Sequence, residues 1–418
     1  MVNANGQMQW VNVLSTESSL EAAIAEVVEQ AEGSLSAPAD LALVFISSAF
    51  SSEYSRLMPL LKKRLSSQPV IIGCGGGGVV GMVAEEGTQE IEHYPALSLS
   101  LAHLPNVDIA AFHLEPHQFP DLDSPPDAWV NLIGVPPAQQ PNFILLADPF
   151  SAKITDLLQG LDFAYPGSVK VGGLTNGGMN TYTGLFCNYQ LYREGTVGLA
   201  LSGQLVMEAI VAQGCRPIGQ TYRVTEGERN ILLGLAAQIG EELSQVGAKS
   251  RLPLEVLQEL IQNLSDEDRH LAQDSLFVGV AQTEFKTQLE PGDFLIRNLV
   301  GVDPRAGAIA IGDRVRPGQR IQFHLRDAKT SAEDLRVLLE RYQKQSQTST
   351  SAIGALMFSC MGRGEGLYGK PNFDSTLFQH YVGEIPLSGF FCNGEIGPVG
   401  GTTFLHGYTS VFGICRPL

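Results

Sequence analysis

Blocks of apolar and polar positions follow one another along the 418 residues, and the same succession returns three times. The apolar run Leu41 to Ile46 predicts a buried strand, and Tyr54, Leu57, Met58, Leu61 and Leu65 at helical spacing predict a crossover helix. Val70 to Ile72 then predicts a second strand leading into a glycine-rich turn, and Leu97, Leu99 and Leu101 alternate with Ser98 and Ser100 as a third. The second unit reads Phe143 to Leu146, Ile154 to Leu161, Val169 to Val171, a turn, and Val197 to Leu201. The third reads Ala355 to Phe358, a segment around Leu377 and Phe378, Ile385 to Leu387, a turn, and Val411 to Ile414.

Within the turns the spacing is constant: Gly73 with Gly77-Gly78, Gly172 with Asn176-Gly177, and Gly389 with Asn393-Gly394. Gly-Gly and Asn-Gly between apolar runs supply the positive φ values that tight hairpins need. A strand, helix, strand succession requires a crossover and makes its two strands parallel. The expected fold is therefore α/β, with two related domains built from repeated strand-helix-strand units and mixed β-sheets flanked by helices. Two further helices carry capping-box patterns, Ser18 with Glu21 and Thr330 with Glu333. Residues 225 to 275 read as more helical and acidic, and 307 to 327 as strand, Pro-Gly turn, strand. A junction near Gly214 to Gln220 divides the chain into domains 1–215 and 216–418.

The charges sum to −17 with 17% charged and 44% apolar residues, which excludes a disordered chain. The acidic balance also argues against nucleic acid as a partner, since phosphate neutralisation needs basic surface. Six cysteines without a C-x-x-C read as reduced thiols. With no signal-like N-terminus and no apolar run of about 20 residues, a cytoplasmic protein without membrane contact is expected.

Several motifs fall short of chemistry. GCGGGGVVG contains G-x-G-x-x-G at Gly73, Gly75, Gly78 and at Gly76, Gly78, Gly81, but no helix follows to point amides at a pyrophosphate. Gly364 to Lys370 matches G-x-x-x-x-G-K, yet Pro371 lacks the hydroxyl for magnesium and the amide for phosphate, so no nucleotide is expected there. His113 and His117 are separated by Pro116 and read as loop histidines, Asp121 and Asp123 lack the rest of a calcium loop, and no G-x-S-x-G occurs. Neither a metal site nor a cofactor is assigned.

The last sixty or so residues are different. SCMGRGEG presents Arg363 and Gly364 on a glycine-rich loop at a strand end, GFFCNGEIGP presents Asn393 and Glu395 after an equivalent strand, and FLHGYTS brings in His406 and Thr409. Loops at strand carboxyl ends are where open α/β sheets gather ligand groups. The expectation is one concave, solvent-reachable site holding Arg363, Glu395 and His406, with Arg363 taking a carboxylate and Glu395 an amine. Arg363→Ala should then weaken binding and leave the fold intact. The competing reading is a partly exposed Arg363–Glu395 ion pair, with His406 structural and Cys360 and Cys392 as packing residues.

CMGRG, GFFCNGEIGP and LHGYT resemble the C-terminal FIST domain, and VFISSAF with VIIGCGGGG resembles its N-terminal partner, over roughly Ala39 to the end. In that family the paired domains precede bacterial histidine kinases and chemoreceptors and occur in F-box proteins, with small ligands such as amino acids as the proposed input. The resemblance implies a stand-alone ligand sensor that signals through a protein partner. A protein-interaction platform is the alternative, and a thiol enzyme using Cys360 or Cys392 with His406 a third.

Overall fold

The computed structural model describes residues 6–176, 183–238, 249–282, 286, 289, 291–346 and 350–418. The chain divides into two compact units, Met1–Ala212 with Arg336–Leu418, and Gln213–Leu335. The division expected from sequence is linear and this one is not: residues 216–418 contribute to both units.

The first unit holds three six-stranded mixed sheets. One has the order Gln9–Ser15, Leu97–His103, Leu41–Ser47, Val70–Gly76, Leu185–Cys187, Gln190–Tyr192. The next has Val107–Leu114, Thr196–Gly203, Asn142–Ala147, Lys170–Leu174, Glu395–Val399, Thr402–His406. The last has Leu205–Ala212, Ser410–Pro417, Gly354–Cys360, Leu387–Cys392, Val79–Val83, Gly87–Ile91. In each sheet the two middle strands are parallel and their outer neighbours antiparallel.

The sheets are built from three repeats that exchange hairpins in a cycle. The hairpin leaving the first repeat completes the last sheet, that of the second completes the first sheet, and that of the third completes the middle one. Each repeat starts earlier than the apolar blocks suggest, with an edge strand (Gln9–Ser15, Val107–Leu114, Leu205–Ala212) and then a helix (Leu20–Ser34, Pro126–Ile133, Ala328–Ser346). In the third repeat the second unit is inserted in the chain after that strand, and its end at Leu335 falls within that helix.

Backbone pairing shows how closely the repeats agree. Gly73 faces Val44, Gly172 faces Leu145 and Gly389 faces Met357 across the parallel pairs. A Cβ on these glycines would lie 2.0, 1.8 and 1.8 Å from the facing carbonyl oxygen, so no other residue fits. The amides of Gly75, Leu174 and Phe391 donate to the carbonyls of Gly184, Gly394 and Gly78, at 2.9, 2.8 and 3.0 Å. Gly184, not Gly177, is therefore the counterpart of Gly78 and Gly394. The constant sequence spacing misleads at the second turn because extra residues precede Gly184; Gly177 itself lies outside the described residues.

A core shared by all three sheets is made of residues such as Phe45, Leu146, Phe358 and Phe390. The rings of Phe45 and Phe390 stack at 5.4 Å, and Phe358 meets Phe390 edge-on at 5.8 Å. Helices cover the opposite faces. Leu20–Ser34 buries Leu20, Ala23, Ile24, Val27, Val28 and Ala31, one stripe at helical period. Its cap is Ser19, whose hydroxyl accepts from the Ala22 amide, rather than Ser18. Ala328–Ser346 likewise begins before Thr330, because the Asp327 carboxylate accepts the Thr330 amide at 2.6 Å.

The second unit is a closed barrel with strand order Cys215–Glu228, Ile231–Ala237, Ala308–Ile311, Phe294–Asp303, Leu276–Ala281, Arg320–Arg326. Among the described residues the helical expectation for 225–275 is met by Pro253–Gln262 and Asp266–Leu271, while two strands run through 215–237. Gly219 and register shifts along Cys215–Glu228 bend that long strand around the barrel.

Candidate functional site

Strand Gly354–Cys360 ends one residue before Met361-Gly362-Arg363, and Arg363 precedes the short helix Gly364–Tyr368. Its side chain turns inward and is fully buried. The guanidinium meets Asp374 as a fork, Nε to Oδ2 at 2.7 Å and Nη2 to Oδ1 at 3.0 Å, and Nη2 also donates to the Tyr368 hydroxyl at 2.5 Å. Tyr368 in turn donates to Asp374 at 2.9 Å, and its phenol is held well above the tyrosine range by burial. The expected solvent-facing loop arginine is thus a buried one. Its partner is Asp374 of helix Phe373–Val382 and not Glu395.

The hairpin exchanged from the first repeat adds carboxyls to this group. Glu90 accepts the Ser375 amide at 2.7 Å, near the start of helix Phe373–Val382, and Glu92 accepts the Glu365 amide at 2.8 Å. Burial, followed by repulsion from Asp374, pushes Glu90 up to about 7. Glu92 is raised mainly by burial. Gly364, with φ at +60°, lies so close that a Cβ there would come within 2.3 Å of the Glu92 carboxylate.

Glu395 opens strand Glu395–Val399 and is also fully buried. Its Oε2 accepts the Thr409 amide at 3.0 Å, and the neighbouring Cys360 thiol favours its charged form. Burial pushes Glu395 up to about 8, against the pull of the Thr409 amide and the Arg363 charge. His406 faces Glu395 across the antiparallel pair, with Nε2 3.0 Å from the Gly397 carbonyl. Thr409 directs its hydroxyl to the Gly407 carbonyl at 3.1 Å. Asn393 is exposed, and its backbone amide donates to the Leu174 carbonyl at 3.0 Å.

The repeats single out Glu395. The strands that carry it pair Glu395 with Gly173, Leu185 with Cys74 and Val79 with Phe390, and in each case the next residue faces the conserved-geometry glycine. Leu185 and Val79 belong to the shared apolar core. The same backbone position thus carries leucine, valine and glutamate, and only the third repeat places an ionisable group there. Nothing in the fold calls for it, because burying a carboxyl is costly and the other two repeats manage with apolar side chains.

Arg363, Gly364, Glu395, His406 and Thr409 therefore gather at the ends of neighbouring strands, in two adjoining groups. The residues missed by sequence reasoning are Asp374, Tyr368, Glu90 and Glu92. Tyr368 lies inside the rejected G-x-x-x-x-G-K stretch and Asp374 on a short helix just beyond it, where no pattern marks either as a partner of Arg363. Glu90 and Glu92 come from a hairpin almost three hundred positions away, with |i−j| of 285 for the Glu90–Ser375 bond. The rejected motifs have structural roles: Gly77-Gly78 leads into strand Val79–Val83, and Gly364 to Tyr368 is a short helix. His113 lies on strand Val107–Leu114, not in a loop, and stacks on Tyr192 at 3.8 Å. In the second unit an open cleft of about 360 Å³ is lined by Glu226, Leu233, Lys249, Ser250, Arg251, Leu252 and Glu255, where Arg251 is engaged by Glu259 at 2.7 Å.

Fold and site define an α/β protein of three hairpin-exchanging repeats, with a barrel inserted in the third. The chain belongs to the FIST family: the FIST N domain matches residues 40–238 and the FIST C domain residues 253–398. An uncharacterized protein of Mycobacterium tuberculosis is 34% identical over 341 residues, covering 81% of this chain and 82% of its own. One of Mycobacterium bovis is 31% identical over 401 residues, 96% of each chain. An F-box/LRR-repeat protein of Arabidopsis thaliana is 30% identical over 115 residues, 24% of this chain and 22% of its own. Among solved structures, cyanuric acid hydrolase from A. caulinodans aligns over 98% of this chain and 99% of its own, at 9% identity and a TM-score of 0.32, a likeness from which nothing is carried over.

Proposed function

We propose that the protein is a small-ligand-binding sensor whose ligand is an amino acid or similar small polar metabolite and whose output passes through a protein partner. FIST domains are in general sensory, ligand-binding modules. The observation that carries the reading is Glu395, a buried carboxyl at a position that is apolar in the two sister repeats. A carboxyl held near pH 8 by burial gains most from a ligand that brings its own positive charge. Glu395 is assigned the ligand's ammonium group, with Thr409 and His406 fixing the hairpin around it. Arg363, whose fork is filled by Asp374, acts through its charge and by ordering Gly364 and its helix. Asn393, exposed on the same turn, marks the approach.

Cytoplasmic residence belongs to the same proposal and is supported by six cysteines that are all thiols. Among the described residues no helix is long and apolar enough to cross a membrane. An interaction platform is the second reading, favoured by the stretch shared with the F-box protein.

A thermal-shift screen of amino acids and small amines tests the sensor. A ligand at 100 times its Kd stabilises by about 2.7 kcal/mol. The shift should be present in the wild type and absent in Glu395→Leu, a substitution that installs the side chain of Leu185 and so keeps the fold. A screen in which no amine or amino acid shifts the wild type, or in which Glu395→Leu responds equally, overturns the assignment.

A further inference from the structure

Two thiols lie near Glu395, those of Cys360 and Cys392, and the pair is placed for chemistry that ligand binding does not use. Cys360 and Cys392 are register partners on adjacent parallel strands. Partners of this kind point to the same face of the sheet, and neighbouring strands run about 4.8 Å apart. That spacing falls inside the range of roughly 4.4 to 6.8 Å between Cα atoms that a disulfide spans. Of the six cysteines five are buried and Cys360 alone is partly exposed. Its thiol lies close enough to the Glu395 carboxyl to lower that group's proton affinity, and its sulfur receives the Gly362 amide at 3.5 Å. Cys392 is fully buried, donates to the Phe390 carbonyl at 3.5 Å, and its thiol is held well above the usual range by burial and by the neighbouring Glu395.

The repeats again distinguish the pair from packing. Extending the parallel registers by one residue sets Ser47 opposite Gly76, Asp148 opposite Thr175 and Cys360 opposite Cys392. The three leading positions are equivalent, since the amides of Ser47, Asp148 and Cys360 each donate, at 2.9 Å, to the carbonyls of Ala96, Gly195 and Thr409. Only the third repeat has two thiols there, and only the third repeat has a carboxyl beside them. Burial raises the proton affinity of the Glu395 carboxyl, which suits it to accept a proton from the neighbouring Cys360 thiol.

We propose that Cys360 and Cys392 are a peroxide-sensitive dithiol that closes reversibly to a disulfide, with Glu395 as the proton acceptor for Cys360. Glu395 in its ionised form takes the Cys360 proton, and the thiolate sulfur attacks a hydroperoxide oxygen. The O–O bond breaks, an S–O bond forms, and the departing oxygen leaves as water or alcohol with the proton from Glu395. Cys392 then attacks the sulfenic sulfur, its proton leaving with the displaced hydroxide as a second molecule of water. Two electrons pass from the two thiols to the peroxide, and an external thiol restores them by exchange. Closure ties together the ends of the strands that lead into Arg363 and Glu395, so oxidation state is readable at the ligand site.

The test treats the reduced full-length protein with hydrogen peroxide and maps peptides without reductant. The expected product is a Cys360–Cys392 crosslink that dithiothreitol removes. Cys360→Ser, the residue of Ser47, should abolish it. Cys392→Thr, the residue of Thr175, should leave Cys360 as a sulfenic acid trapped by dimedone. Glu395→Gln and Glu395→Leu, checked for folding by circular dichroism, should slow Cys360 oxidation by about tenfold or more. Peroxide that leaves Cys360 reduced, Cys360 overoxidised with Cys392 untouched, or unchanged rates in both Glu395 variants would each overturn the proposal. The ligand reading is not at stake in these outcomes, because no ligand is present; loss of the ligand shift with an intact crosslink separates failure of that reading from failure of this one.

Discussion

Arg363 shows how burial changes the meaning of a residue. On a glycine-rich loop it reads as an exposed fork waiting for a ligand, whereas the structure gives it Asp374 and Tyr368 inside the protein. Removing one member of a buried pair leaves the other uncompensated, at a cost of about 3 to 5 kcal/mol. Arg363→Ala is therefore expected to destabilise the fold by that amount in denaturant unfolding, the reverse of what an exposed loop arginine predicts. Arg363→Lys should recover little, since an ammonium cannot reproduce the fork. An Arg363→Ala protein as stable as the wild type would show that the pair carries no structural weight.

At the scale of elements, the repeat rests on three glycines more than on any apolar block. Gly389 lies against the Met357 carbonyl, where a Cβ would come within 1.8 Å, and both are main-chain atoms of paired strands that cannot move apart without breaking the ladder. Gly389→Ala is expected to cost about 4 kcal/mol or more, in the tail of single-substitution effects. Gly366, inside helix Gly364–Tyr368 with open space around its Cβ, is the control. Gly366→Ala should be neutral or stabilising by about 0.5 to 1 kcal/mol. Equal effects in chemical denaturation would mean that the close strand approach is not what holds the repeat.

At the scale of the whole molecule, buried titratable groups give each unit its own pH response. Glu395 moves from the ordinary 4.5 to about 8 and Glu90 to about 7 on folding. Between those limits the unfolded chain has released protons that the folded one keeps, so stability falls as pH rises, by about 1.4 kcal/mol per pH unit for each group. His324 in the barrel works the other way: burial lowers it from 6.5 to about 4, so the unfolded chain binds the extra proton and stability rises across that window. Urea unfolding from pH 5 to 8 should therefore show the first unit weakening. In Glu395→Leu the slope should be shallower and the protein more stable than the wild type at pH 7, with the two converging toward pH 4.5. Parallel slopes would mean that Glu395 is not held protonated by the fold.

The sequence by itself determined the local grammar: the strand-helix-strand succession and the close-packed glycines at the starts of the turns follow from apolar periodicity and from backbone positions only glycine can occupy. It also marked the segments from Ser359 and Gly389 as unusual, because polar residues bounded by glycines have little to do in a strand. What it left open was decided by contacts between distant residues. Which sheet each hairpin completes depends on three sheets sharing one core, and no local pattern encodes that. The partner of Arg363 is set by helix Phe373–Val382 packing over strand Gly354–Cys360, and the carboxyls around it arrive on the first repeat's hairpin. Even the significance of Glu395 is a tertiary fact, since only superposed strand registers show that its sister positions are Leu185 and Val79. Local structure follows from neighbours in the chain, whereas charge, burial and proton affinity follow from neighbours in space.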